Sequence, residues 1–190
     1  MNDIYRYREL YFLLEAKRKL KKYLELYKER KNLKNDSLIE LYLNFDIYFL
    51  LIVTAVDRSL YRYISHRTRF LKKTENLIKF KNKKNRIYLN NLILILKENP
   101  QIWSSESKIE DARYALMRIL RIQKKYRNKF IHANAKEDKQ YSWLKMKRYP
   151  YNPWEAREMY RHTFMILKDL YRKNKKYLDY IIEIDKHPHQ

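Results

Sequence analysis

The residues best suited to chemistry in this sequence are an arginine and a histidine five positions apart, Arg127 and His132, in the segment YRNKFIHAN at 126–134. On an ideal helix Asn128 and His132 share a face, and Arg127 stands about 140° from His132, an angle its long side chain partly spans. Such a patch suits phosphodiester chemistry. An imidazole can exchange a proton near neutral pH with a ribose 2′-hydroxyl or a leaving oxygen, while a guanidinium steadies charge on the phosphorus oxygens. Asn128 would orient the imidazole or a phosphate oxygen, and Tyr126 and Lys129 are candidates for base stacking and phosphate contact. With seventeen arginines and five histidines the same spacing recurs, at Arg157 and His162. Context separates the two matches. Phe130 and Ile131 would anchor the first to a core at a helix-to-loop boundary. The second falls inside an amphipathic pattern, where Arg and His read as a solvated stripe.

Helices must position this patch. The 190 residues include no glycine and only four prolines, so the turns that hairpins need are hard to build, and many short strands are not expected. The same lack excludes a P-loop or a dinucleotide fingerprint. No cysteine is present, which removes disulfides, thiolate metal sites and a cysteine nucleophile. Apolar residues recur at helical spacing from Asp3 to about Lys31, through Ile4, Tyr7, Tyr11, Leu14, Tyr23 and Tyr27. After Asn35, Asp36 and Ser37 a second pattern runs from Leu38 through Leu41, Phe45, Phe49, Ile52, Val56 and Leu60 to about Ser65, and should be the central helix. Two shorter pieces follow in 69–97, separated by the basic run KFKNKKN at 79–85 and closed by Pro100. Ser107 and Glu110 have capping-box spacing ahead of a helix that leads into the 126–134 segment. Asn152, Pro153 and Glu155 open a last helix to about residue 184. These patterns predict an all-α fold of five or six helices in one domain, residues 1–190.

Forty-four Lys and Arg oppose twenty-two acids, giving a net charge of +22, which draws polyanions from a distance. Nucleic acid is the first expectation for a partner. The longest apolar run, IYFLLIVTAV at 47–56, is about half of a bilayer span and reads as a buried helix, so no membrane role is expected. The N-terminal MNDIYRYREL lacks the apolar core of a secretion signal, and a cytoplasmic location is the expectation.

The segment RNKFIH resembles the R-x4-6-H signature of HEPN domains, the higher-eukaryote and prokaryote nucleotide-binding helical domains, with the asparagine after arginine that ribonuclease members commonly show. In order, AVDRSL, YRNKFIHAN and PWEAREMYRHTFMILKDLYR are also similar to the helices of small bacterial abortive-infection proteins of this class. The resemblance spans about residues 38–175, with its specificity in the six-residue signature. It implies an antiparallel helical bundle that forms a homodimer with two copies of the motif facing one cleft. It also implies endoribonuclease activity without metal or other cofactor, leaving a 2′,3′-cyclic phosphate and a 5′-hydroxyl, in a toxin or antiviral effector. Two chains would supply both a base and an acid where each offers one well-placed histidine. Some HEPN toxins carry a tyrosine two positions after the histidine, modified by a nucleotidyltransferase antitoxin. Asn134 stands there instead, so a protein inhibitor would act by another route. Asp57, at the end of the central apolar helix, matches a place where related proteins often have an acid reaching towards the motif arginine; an ordinary helix-terminal acid pairing with Arg58 or Arg62 is its alternative.

Other features have plainer readings. His187 and His189, in the closing KHPHQ, fit a frayed terminus better than a metal site. His66 belongs to SHRTRF at the end of the second helix. The 141–154 segment, YSWLKMKRYPYNPW, interleaves bases and aromatics as single-strand binders do, and equally as a loop packed on the bundle would. Besides the ribonuclease, the composition admits a non-catalytic basic RNA- or DNA-binding bundle and an assembly protein for an acidic partner.

Overall fold

The computed structural model describes residues 8–82, 89–102 and 153–186. Six α-helices occur among them: α1 (Arg8–Glu29), α2 (Asn35–Arg67), α3 (Glu75–Lys81), α4 (Leu89–Lys97), α5 (Pro153–Leu170) and α6 (Lys175–Lys186). The described residues contain no strand.

Helix α1 buries Leu10, Leu13, Ala16, Leu20 and Tyr23, a three-and-four spacing that puts one stripe against α2. Of the expected stripe Tyr23 is buried and Leu14 and Tyr27 pack half-buried against the core, but Tyr11 is exposed. Leu10, Leu13 and Leu20 set the face together with Tyr23, and Tyr11, one position from Leu10, falls beside that stripe. Arg30 closes the helix by lying 4.0 Å over the Tyr27 ring and donating to the Tyr27 carbonyl at 3.0 Å. A cation there complements the negative end of the helix dipole.

Helix α2 is the axis of the bundle: its 33 residues span about 50 Å. Leu41, Phe45, Phe49, Ile52, Val56 and Leu60 are all buried as expected, joined by Tyr48, Tyr63 and Ile64. Asn35, Asp36 and Ser37 lie inside the first turn instead of breaking the chain. The break falls one step earlier, at extended Lys34, and an acid such as Asp36 is favourable at a helix start. Asp36–Arg67 is long and apolar enough to cross a membrane by length and composition, yet half of its apolar window is buried against the rest of the protein. The short run 47–56 had understated this helix, because Leu38, Ile39, Leu41 and Leu43 continue the apolar pattern beyond Asn44 and Asp46.

Side-chain contacts fix the helix directions. Glu9 pairs with Arg62 at 2.9 Å and the rings of Tyr23 and Phe45 meet at 5.2 Å, so α1 runs antiparallel to α2. The Tyr48 hydroxyl donates to the Ala156 carbonyl at 2.6 Å, and the Tyr171 hydroxyl to the Ser59 carbonyl at 3.2 Å. Helix α5 therefore runs alongside α2 in the same sense. Lys17 Nζ donates to the carbonyls of Ile184 and Asp185 at 2.6 and 2.7 Å, holding the end of α6 against α1. The expected single helix from 153 to 184 is broken at 171–174. Asn174 restarts it by accepting from the Tyr177 amide at 3.2 Å, the acceptor role for which asparagine is favoured at N-caps.

The two short helices pack on each other and against α2. Thr74 caps α3 by accepting from the Leu77 amide, and Phe80 packs its ring 5.3 Å from Tyr61. The chain after α4 is held by fully buried Asn99, which donates to the Ile95 carbonyl and accepts from the Lys72 amide, each at 2.7 Å. A single 3-10 turn, Pro100–Ile102, then brings Gln101 and Ile102 beside the end of α2.

Candidate nucleic-acid interface

Of the residues expected to do chemistry, Asp57 alone is described. It is half-buried on α2, ten residues before the helix ends at Arg67, and so sits within a continuous helix and not at its terminus. Its two candidate basic neighbours have contacts of their own. Arg58 lies 5.4 Å over the Phe12 ring, and Arg62 donates to Glu9. Tyr126, Arg127, Asn128, Lys129 and His132 lie outside the described residues, as do Ser107, Glu110, His187, His189 and all of the 141–154 segment except Pro153 and Trp154. Trp154 is exposed in the first turn of α5.

The second arginine and histidine match is described, and it differs from a solvated stripe. Arg157 and Arg161 are exposed, but the His162 side chain is only 15 % exposed, its Nε2 3.6 Å from Glu158 Oε2 one turn earlier. His162 turns towards the bundle because it shares α5 with buried Met159 and Ile166, three before it and four after.

Several described cations meet where α2 ends. Two adjoining clefts, of about 310 and 120 Å³, open there between α2, the 3-10 turn and the 171–174 turn. Arg62, His66 and Arg67 come from α2, and Arg172 and Lys173 from the turn. No carboxylate is among the described residues that line either cleft. Behind the lining, Glu9 holds Arg62 and Asp169 approaches Arg172 at 3.4 Å. Arg67 lies 4.7 Å over the ring of Tyr63, a ring that belongs to both walls. Burial pushes the Tyr63 phenol above its ordinary pKa, with Arg67 and Arg172 pulling in the opposite direction.

An aromatic column makes this floor firm. Tyr171 stacks on Tyr177 at 3.8 Å and meets Tyr63 edge-on at 6.2 Å. Arg172 also donates to the Ile102 carbonyl at 3.0 Å, tying the turn to the 3-10 segment. Chemically, the arrangement offers fixed guanidinium groups and an exposed lysine to an anion. Among the described residues no three His, Asp or Glu side chains gather closely enough to hold a metal ion.

Sequence reasoning named His66 and Arg62 only for plainer roles and did not single out Arg67, Arg172 or Lys173. The only trace was a pair of basic runs, YRYISHRTRF and YRKNKK, each ending a helix, and nothing in the sequence brings them together. No protein-family model, curated protein or solved structure matches this chain.

Proposed function

We propose that this protein binds RNA and cleaves it without a metal ion, as an endoribonuclease of HEPN type acting as a toxin or antiviral abortive-infection effector. The observation that carries the reading is the RNKFIH segment in a chain of net charge +22. In the reaction the 2′-oxygen attacks the adjacent phosphorus, the bond to the 5′-oxygen breaks, and one proton leaves the 2′-hydroxyl while another reaches the departing 5′-oxygen. His132 serves one proton transfer and its counterpart in a second copy the other, with Arg127 holding the phosphorus oxygens and Asn128 orienting them. Asp57 would steady the arginine. An exposed apolar stripe on α2, made by Ile39, Leu43 and Leu50, supports a homodimer by offering surface for a second copy.

The test is an oligoribonucleotide cut at one known linkage, compared with the same strand carrying a 2′-deoxy residue at that position. Loss of cutting at that linkage alone supports attack by the 2′-oxygen; cutting that persists there rejects it. The basic cleft favours a second reading, a non-catalytic RNA-binding bundle, because its arginines and lysine can hold phosphate by charge alone. Under that reading His132→Ala leaves RNA binding and biological effect intact.

A further inference from the structure

Among the described residues, the composition of the cleft at the end of α2 is specific. Arg67 and Lys173 line both of its parts, and Phe70 stands at the rim of the smaller part with 81 % of its surface exposed. A large ring this exposed gains nothing from burial in the bundle. Beside fixed cations, it provides the pairing that single-stranded nucleic acid uses, a face for a base and charge for its backbone. The cleft volume, about 310 Å³ in the larger part, lies at the bottom of the range for small-molecule pockets, and its exposed His66, Lys173 and Asn174 leave it open to the surface. A strand crossing the surface fits such a shape better than an enclosed metabolite.

We infer that this cleft is a binding site for single-stranded RNA, with a backbone phosphate held by Arg67 and Lys173 and an adjacent base stacked on Phe70. Arg62 and Arg172 contribute less, since Glu9 and Asp169 already offset their charge. The inference rests on the RNA reading of the preceding section but not on its catalytic residues. The walls are held independently of any ligand by the Tyr63, Tyr171 and Tyr177 rings and by the Arg172 bond to Ile102. Ordering the strand is therefore the main entropic cost of binding.

The test uses the full chain and a 2′-O-methyl oligoribonucleotide, which binds as RNA does but cannot undergo 2′-oxygen attack. Affinity is measured against salt for wild type, for Arg67→Ala with Lys173→Ala, for Phe70→Ala, and for Lys28→Ala with Lys31→Ala. The last pair removes the same charge from the opposite end of the bundle, where α1 meets α2. Loss of the one phosphate contact lowers the slope of log affinity against log salt by about 0.7, and loss of the ring weakens binding about tenfold with little change of slope. Lys173→Glu, at a fully surface position, repeats the charge test should the Arg67 change disturb packing on Tyr63. Equal losses from the two double variants, with wild-type binding intact, would overturn the cleft assignment and leave the RNA reading standing. Absence of wild-type binding would overturn both, and so would capture of phosphatidylserine vesicles in place of the oligonucleotide.

Discussion

Tyr48 on α2 donates its hydroxyl to the carbonyl of Ala156 on α5 at 2.6 Å, and both residues are fully buried. A buried hydroxyl must be satisfied, so this bond sets how α5 sits along α2. Tyr48→Phe keeps the ring and removes only the donor. It should cost about 1 kcal/mol in denaturant unfolding with the helical circular dichroism unchanged. No loss would mean the bond does not hold the two helices.

Glu9 is 4 % exposed and pairs with Arg62 across α1 and α2. Removing the arginine leaves a buried carboxylate without that partner, and Arg62→Ala should destabilise by about 3 kcal/mol. Replacing both residues with apolar ones of similar size should recover most of that loss, because the desolvation penalty goes with the charge. A double variant as unstable as the single one would contradict this reading.

Burial raises the phenols of Tyr23, Tyr48, Tyr160 and Tyr177 above the ordinary value of 10.0. The folded state therefore holds these protons more tightly than the unfolded chain. The stability so linked is fully present below about pH 10 and is lost as pH rises towards the folded values. Phenolate absorbance should show these four rings titrating only with unfolding, together with the loss of helical circular dichroism. Smooth titration of every tyrosine while the helices persist would argue against the buried placement.

The α2 stripe gives a test of assembly. Leu43 is 53 % exposed and Leu50 39 %, and a charge at either place costs the folded monomer little. Leu43→Glu with Leu50→Glu should convert a sedimenting dimer to monomer with its helical content kept. A wild type that sediments as monomer, or a variant that stays dimeric, would remove this face as the dimer contact.

Much of the bundle was legible because its strongest signals are local. The absence of glycine, the apolar spacing of α2 and the first-turn proline of α5 all act within a few residues. The register of α1 was harder, since Tyr11 and Leu10 both count as apolar in a pattern and only the partner helix decides which is buried. The break before α6 depended on one asparagine side chain, Asn174, in a run rich in lysine. Arg67 and Lys173 are 106 positions apart in the sequence, and only the return of α5 along α2 brings them to one cleft. Asp57 was read at the end of the central helix and in fact stands ten residues before that end, because the helix runs on to Arg67, while the residues it is proposed to serve lie outside the described ones.

The central claim is RNA cleavage by Arg127 and His132. Purified wild type, Arg127→Ala and His132→Ala should be incubated with total RNA in excess EDTA, and the fragment ends identified. The account predicts cleavage by wild type alone, leaving 2′,3′-cyclic phosphate and 5′-hydroxyl ends, with both variants folded and reduced at least about a hundredfold. RNA that binds but stays whole with wild type, or is cut equally by all three, would contradict it.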